Sequence, residues 1–143
     1  MLKTIEKYVK NSGLAFQNGY EYVSYGKFGN GERELANLEK RYLLDTEYLQ
    51  FELSFKFTDS FTAKFEIKDF VGKAAKSDYL DLISLVDTEF GNKNKYIAVA
   101  VTDKEFFKNA VKAIIPMAKT IIKTANANIE YDLMIDKERN ENA

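Results

Sequence analysis

An alternation of apolar and polar residues along two neighbouring stretches, 51–57 and 61–67, constrains the fold of this chain more than any other feature. The first stretch is FELSFKF and the second is FTAKFEI, so nearly every second residue is apolar in both. Successive side chains of a β-strand point to opposite faces. The period of two therefore predicts two strands that each bury one face.

The two stretches keep their apolar residues on one common face in a single pairing register. In that register Phe51 lies opposite Ile67 and Phe57 lies opposite Phe61, which leaves a three-residue connection of ordinary hairpin length. A shift of one residue would turn the apolar face of one strand to water, so the pattern strongly specifies this pairing. The sequence thus predicts a central antiparallel hairpin over about 48–70.

Apolar residues three and four positions apart predict several helices. These helices span the first dozen residues, 32–43, a segment that begins at Ser77, and a long C-terminal stretch of about 103–124. The only proline, Pro116, lies inside the long helix. Because proline lacks the N–H of the helical hydrogen bond, it predicts a kink or a break near residue 115.

Three further segments are predicted to be strands. Asn18-Gly19 suits the tight turn of a hairpin over 14–25. The apolar run Tyr96–Val101 lacks polar alternation, which predicts a strand that is covered on both faces and therefore central in the sheet. Alternation over 129–136 predicts a last strand, followed by a polar tail at 137–143.

Together these elements predict the fold class. A chain of 143 residues has the length of one domain, so residues 1–143 are assigned to a single domain. The order of the elements predicts an α+β fold with a largely antiparallel sheet that is built on the central hairpin. Several helices, including the long C-terminal one, are predicted to pack against this sheet.

The composition restricts the chemistry, because the chain contains neither cysteine nor histidine. Disulfides, thiolate zinc sites and every histidine-based acid–base scheme are therefore excluded. A net charge of −1 excludes a strong attraction of the whole molecule to nucleic acid or to an anionic membrane. The N-terminus lacks a signal peptide, and no apolar run has the length of a transmembrane segment, so a soluble, cytoplasmic protein is predicted.

The polar face of the central hairpin holds the sharpest candidate for a catalytic site. The register that aligns the apolar residues also places Glu52 opposite Glu66, with Lys68 two positions farther along the same face. Two carboxylates are suitable ligands for Mg²⁺, and a nearby ammonium group could stabilise charge that develops on a phosphate. The other interpretation is a solvated sheet face, on which Lys64 and Lys68 neutralise both carboxylates.

This arrangement resembles the PD-(D/E)xK nucleases, with Glu66-Ile67-Lys68 as the E-x-K element and Glu52 in the first acidic position. The resemblance covers about 32–101. It implies a Mg²⁺-dependent nuclease, in which Glu32 or Glu34 on the preceding predicted helix supplies a further carboxylate.

Four lysines share one face of the predicted C-terminal helix, within a sector of about 60° at 100° per residue. A basic amphipathic helix can dock an acidic protein, a phosphate backbone or a membrane surface. The other interpretation is the exposed face of a helix that packs on the core. These lysines are Lys108, Lys112, Lys119 and Lys123.

An aromatic cluster near the N-terminus is the third candidate. Bases stack on aromatic side chains that project from strands, so the cluster is compatible with single-stranded nucleic acid. It is equally compatible with a protein interface, where tyrosine is enriched. Ordinary folding would instead pack Tyr20 and Tyr22 inward. The cluster consists of Tyr20, Tyr22, Tyr25 and Phe28.

Each of these candidate sites is also explained by ordinary folding, so the sequence favours a small non-enzymatic interaction or assembly protein without a cofactor. It would act by contact with a protein partner or with copies of itself. Its size, its composition and its lack of common catalytic groups favour an accessory protein of a phage or mobile element. The first alternative is the Mg²⁺-dependent nuclease, and the second is a single-stranded nucleic-acid binder.

Overall fold

The computed structural model describes residues 2–27, 33–58, 61–72, 96–99 and 104–141. These residues form two helices and five strands, which confirms the α+β class and the antiparallel sheet. In chain order the elements are α1 (Leu2–Asn11), β1 (Gln17–Lys27), β2 (Arg33–Asp45), β3 (Leu49–Phe57), β4 (Phe61–Phe70), β5 (Tyr96–Val99) and α2 (Lys104–Glu141).

The five strands form one antiparallel sheet in the order β1-β2-β3-β4-β5. The register predicted for the central hairpin is confirmed, since Phe51 pairs with Ile67 and Phe57 pairs with Phe61. The predicted central position of the strand over 96–101 is wrong within the part of the sheet that the structure describes. Among the described strands, β5 lies at one end of the sheet and pairs only with β4.

The apolar face of the sheet, called the inner face, lies at the centre of the core. Phe51 and Phe65 stack with their ring centroids 5.0 Å apart, and both are fully buried. Both described helices pack on this same face, where Ile5 of α1 and Val111 of α2 have no exposed surface. The opposite face of the sheet, called the outer face, carries the polar residues of the alternation.

The helix predicted over 32–43 is wrong, because residues 33–43 belong to β2. Glu32, one of the two candidates for a further carboxylate, lies outside the described residues. Leu38, Tyr42 and Leu44 alternate along β2 and are buried on the inner face. Lys40 lies in the same phase and is only 4% exposed. Lys40 stands where the strand alternation would place an apolar residue, so the period of two is hard to recognise in the sequence. The helical spacing of the leucines is the more visible pattern.

The hairpin predicted over 14–25 is also wrong. Asn18 and Gly19 lie inside β1, where the register with β2 shifts between Asn18 and Glu21. A glycine inside a strand often marks such a bulge or a close approach of another backbone. A Cβ atom on Gly19 would lie 3.0 Å from the carbonyl oxygen of Arg41, so close approach explains the glycine.

The strand predicted over 129–136 is wrong, because α2 continues through these residues to Glu141 and includes most of the predicted polar tail. The helical period is visible in the burial of Ala125 and Ile129, four positions apart, both with no exposed surface. Tyr131 should be buried with Ile129 in a strand, yet it is 59% exposed. The apparent alternation is therefore an accident of composition.

α2 continues as one helix through Pro116, so the predicted alternative of a break near residue 115 is wrong, while the alternative of a kink stays a prediction. Val111 before the proline and Ala118 after it are both fully buried, which anchors the two halves on the same core. Pro116 itself is exposed, so water can reach the carbonyl that lacks its helical donor.

Several helices were predicted, whereas the described residues contain two. The third predicted helix, which begins at Ser77, lies outside the described residues. Neither described helix combines the length and the apolar character needed to cross a membrane.

Asn126 ties α2 to the connection between β2 and β3. Its Oδ1 accepts hydrogen bonds from the backbone N–H of Tyr48 at 3.1 Å and from the hydroxyl of Thr46 at 3.0 Å. Its Nδ2 donates to the carbonyl of Ile122 at 2.9 Å. One amide side chain therefore satisfies polar groups of both elements where they meet.

Candidate functional site

The outer face carries the charged residues that were candidates for a metal site. Glu52 lies opposite Glu66 across β3 and β4. Lys68 Nζ is 2.8 Å from Glu52 Oε2, and Lys64 Nζ is 3.0 Å from Glu66 Oε2. Each carboxylate therefore has an ammonium partner within the face, which lowers the charge that it could offer to a cation.

Glu34, the proposed further carboxylate, lies far from this pair along the sheet. Glu52 pairs with Leu43 of β2, and Glu34 is nine positions from Leu43 on the same strand. At about 3.3 Å per residue, that separation is roughly 30 Å. Within the described residues, no group of three or more acidic, histidine or cysteine side chains is placed to hold a metal ion.

The charges of the outer face line a shallow groove of about 360 Å³ across β2, β3 and β4. Three acidic and three basic side chains line it, so the groove has no net formal charge. Its charged and polar lining consists of Glu39, Arg41, Glu52, Ser54, Lys56, Thr62, Lys64 and Glu66.

Arg41 connects this groove to the tyrosines of β1. Its guanidinium donates two hydrogen bonds to Glu39 Oε1, one from Nη2 and one from Nε. The distance from Nε to Oε1 is 3.0 Å. The hydrogen bond to Glu39 and the charge of that carboxylate raise the pKa of Arg41. The guanidinium carbon also lies 5.5 Å from the ring centroid of Tyr20, and Tyr22 pairs with Glu39 across the strands. We call these four residues the tyrosine patch.

The tyrosine patch is exposed. Tyr20 is 53% exposed and Tyr22 is 51% exposed, so the alternative interpretation in which both residues pack inward is wrong. Val23 packs against the core instead. Strand alternation puts Tyr22 on the face opposite Val23, which is the outer face.

Tyr25 is exposed but does not belong to the same patch. It is 61% exposed and pairs with Leu35, which packs against the core on the inner side. Strand alternation puts Tyr25 on the same side as Val23, which is the side opposite to Tyr22. Phe28, the fourth member of the predicted cluster, lies outside the described residues.

The four lysines of α2 all lie on the exposed side of the helix. Because the helix continues through Pro116, the residues before and after the proline share one face. Lys112 Nζ lies 5.5 Å from the ring centroid of Tyr8, so this lysine also contacts α1. The stripe consists of Lys108, Lys112, Lys119 and Lys123.

Sequence reasoning missed a second group of polar residues, on the inner face near α1. Lys40, Glu21 and Tyr42 meet there beside a cleft. The position of Lys40 in the sequence could have revealed this group. Lys40 lies midway between Leu38 and Tyr42, so in a strand it projects from the same face as these two residues. A lysine in such a phase is expected to be buried together with a partner.

No protein-family model, no curated protein and no solved structure matches the chain. Its function is therefore inferred from the geometry of its own residues.

Proposed function

We propose that this chain is a non-enzymatic interaction protein that binds a protein surface, either of a partner or of a second copy of itself, through the tyrosine patch. The observation that carries this proposal is the exposure of Tyr20 and Tyr22, 53% and 51%, beside Arg41. Tyrosine and arginine are enriched at protein interfaces and among the residues that dominate binding energy. The tyrosine side chain combines a large apolar ring with a polar hydroxyl, which suits it to a surface that is in water before binding and in contact with a protein afterwards.

The arrangement of Arg41 supports a preformed contact surface. Its guanidinium is held by Glu39 on one side and by the ring of Tyr20 on the other. A side chain that is already ordered loses less conformational entropy when a partner binds. The contact would therefore have a rigid centre, with the mixed charges of the groove around it.

Charge favours a protein over a nucleic acid as the occupant of this face. A nucleic-acid groove needs cations that follow the phosphate backbone. The groove instead balances Glu39, Glu52 and Glu66 against Arg41, Lys56 and Lys64. A protein surface of mixed charge is complementary to such a pattern.

The geometry of β1 favours contact through side chains rather than through strand addition. β1 lies at the end of the described sheet, which exposes one edge of its backbone. However, the two register shifts in its pairing with β2 interrupt the regular strand. Irregularities of this kind blunt an edge against pairing with another strand.

Site-specific photo-crosslinking tests the proposal. A photoreactive amino acid is placed at Tyr22 in the full chain, and a matched control variant carries it at Tyr131, which is 59% exposed on α2. Crosslinking is performed on the purified chain, which detects self-association, and in the cells that express it, which detects a partner.

We expect a discrete crosslinked product from position 22, identified by mass spectrometry, that disappears when Tyr20 is also changed to serine. Position 131 should not give that product. Identical products from both positions, together with a monomeric mass in sedimentation at every concentration, would refute an interface at the tyrosine patch.

The Mg²⁺-dependent nuclease remains the first alternative, and Glu52 and Glu66 are the residues on which it depends. Both carboxylates have lysine partners, so metal binding would have to compete with two ion pairs. An origin in a phage or mobile element and a cytoplasmic location stay predictions, which genomic context and cell fractionation would test.

A further inference from the structure

A cleft of about 550 Å³ opens on the inner-face side of β1 and β2, beside α1. This volume lies within the range of about 300–1,000 Å³ that is usual for small-molecule sites. Its lining combines charged, polar and apolar side chains, and it shares no residue with the tyrosine patch. The lining consists of Glu6, Val9, Lys10, Leu14, Phe16, Asn18, Glu21, Lys40 and Tyr42.

Lys40 is a buried cation at this cleft, with its side chain only 5% exposed. Its Nζ lies 3.0 Å from Glu21 Oε1 and donates to Asn18 Oδ1 at 3.3 Å. The same ammonium lies 4.8 Å from the ring centroid of Tyr42. An ammonium group has three N–H donors, and these contacts give oxygen acceptors to two of them.

Tyr42 supplies the second unusual group. The residue is 3% exposed, and its hydroxyl is the one buried side-chain polar atom without a hydrogen-bond partner in the described part of the chain. Buried hydroxyl groups almost always have a partner, so an exception calls for a physical reason. An acceptor that is not part of the protein would supply one.

We propose that this cleft binds a small zwitterion with an apolar side chain, in the chemical class of the α-amino acids. The carboxylate of the ligand accepts from the Tyr42 hydroxyl and from the remaining N–H of Lys40. The ammonium group of the ligand pairs with Glu6 at the mouth of the cleft. Its side chain packs on Phe16 and Leu14.

Charge balance is the reason for a zwitterion rather than a simple anion. The cleft is lined by two ammonium groups, Lys10 and Lys40, and by two carboxylates, Glu6 and Glu21. A ligand with one charge of each sign leaves this balance unchanged, whereas a dianion such as phosphate would approach two carboxylates without compensation.

We propose that the ligand approaches the Tyr42 hydroxyl by displacing Glu6 and Lys10, which line the same cleft. The hydroxyl has almost no contact with solvent, although Tyr42 lines the cleft. Glu6 and Lys10 are exposed on α1, so they can change rotamer without loss of core packing. The ring of Tyr42 is held in place by Phe16, whose ring centroid lies 6.1 Å away in an edge-on arrangement.

Titration calorimetry of the full chain with L-phenylalanine tests this proposal. Two analogues serve as matched probes: 3-phenylpropionate lacks the ammonium group, and 2-phenylethylamine lacks the carboxylate. We expect L-phenylalanine to bind more tightly than either analogue. Tyr42→Phe should weaken its binding by about ten- to a hundredfold, because one hydrogen bond to a charged group is lost.

Glu6→Gln separates the two ends of the ligand. Glu6 is exposed, so this variant is expected to keep the fold. It should weaken the binding of L-phenylalanine but not that of 3-phenylpropionate, since that probe has no ammonium group and carries a charge of the same sign as Glu6. Tyr131→Phe, on the exposed side of α2, is the control and should change neither affinity.

Three results would overturn the proposal: no binding of L-phenylalanine at millimolar concentration, equal affinity for all three probes, or affinity that neither Tyr42→Phe nor Glu6→Gln changes. Circular dichroism and unfolding curves of each variant verify that any loss of affinity occurs in a folded protein. None of these outcomes depends on the tyrosine patch, because the two surfaces have no residue in common.

Discussion

The buried hydroxyl of Tyr42 leads to a prediction in which a substitution increases stability. Tyr42→Phe removes only the hydroxyl, and it keeps the ring that contacts Phe16 and lies 4.8 Å from the ammonium of Lys40. Because the hydroxyl has no partner among the described residues, its removal breaks no hydrogen bond of the protein. The variant therefore avoids the free-energy cost of removing water from a hydroxyl that forms no hydrogen bond in the folded protein.

The expected size of the effect at neutral pH follows from that desolvation penalty. A buried polar group without a partner costs about 1–3 kcal/mol. We expect Tyr42→Phe to raise the free energy of unfolding by about 1 kcal/mol, near the lower limit, since neighbouring charges partly solvate the hydroxyl. For a chain of this length, the corresponding rise in Tm is about 3 °C.

Alkaline pH increases the difference between the two proteins. Burial, and then the negative charges of Glu6 and Glu21, raise the pKa of Tyr42 from 10.0 to about 12. A raised pKa means that the folded state holds the proton more tightly. The stability contribution of this proton is therefore complete below the unfolded pKa and is lost as the pH rises toward 12. At about pH 11 the wild type loses roughly 1.4 kcal/mol, a loss that the variant does not share.

Urea unfolding followed by circular dichroism at pH 7.5 and near pH 11 measures both effects. The advantage of Tyr42→Phe should grow from about 1 kcal/mol to about 2.4 kcal/mol between these conditions. The control is Tyr131→Phe, which should be neutral at both values because Tyr131 is 59% exposed. A wild type that is more stable than Tyr42→Phe at pH 7.5, or a difference that does not change with pH, would refute the reasoning.

Three further predictions concern the remaining contacts. Asn126→Ala should lower the free energy of unfolding by about 1–3 kcal/mol, because it leaves the backbone N–H of Tyr48 without its acceptor, whereas the Thr46 hydroxyl keeps the carbonyl of Leu49; Asn109→Ala, on the exposed side of α2, is the matched control, and equal effects would contradict the role of Asn126. Pro116→Ala should stabilise the protein by about 1–3 kcal/mol in thermal unfolding, because it restores a helical donor, and a lower Tm would show that α2 depends on the proline. Millimolar Mg²⁺ should leave Tm unchanged and support no DNA cleavage, and a rise in Tm that Glu52→Gln abolishes would establish the metal site instead.

The hairpin of β3 and β4 shows how much of the fold the sequence could predict. Its register, from Phe57 opposite Phe61 to Phe51 opposite Ile67, was predictable because both strands have one apolar and one polar face. The same register placed Glu52 opposite Glu66. Local pattern was sufficient here because the two strands are neighbours in the chain and their pairing requires little more than a turn.

β2 shows why the remainder could not be predicted. The spacing of Leu35, Leu38 and Tyr42 fits a helix, and only the pairing with β3 makes Lys40 a residue of the inner face. The buried ammonium of Lys40 is paired there with Glu21 and Asn18, which lie on another strand. A pattern within one segment contains no information about such a partner.

The candidate sites also contain a part that the sequence could predict and a part that it could not. The sequence identified Tyr20, Tyr22 and the paired carboxylates as candidates, but it could not show that Arg41 and Glu39 lie between them. That arrangement requires β2 to be a strand beside β1. The cleft beside α1 was missed entirely, because its lining comes from a helix and from two strands that were predicted incorrectly.

The sequence by itself determined the periodic parts of this protein: α1, the central hairpin with its register, and the beginning of the long C-terminal helix. In these segments one face is apolar over its whole length, so a single local structure buries it. The tertiary structure alone decided that β2 is a strand, that α2 continues to Glu141 without a break at Pro116, and that Lys40 is buried beside Tyr42. These outcomes depend on partners that are distant in the chain. Burying a charge and continuing a helix past a proline both cost free energy, and contacts with the surrounding core offset that cost.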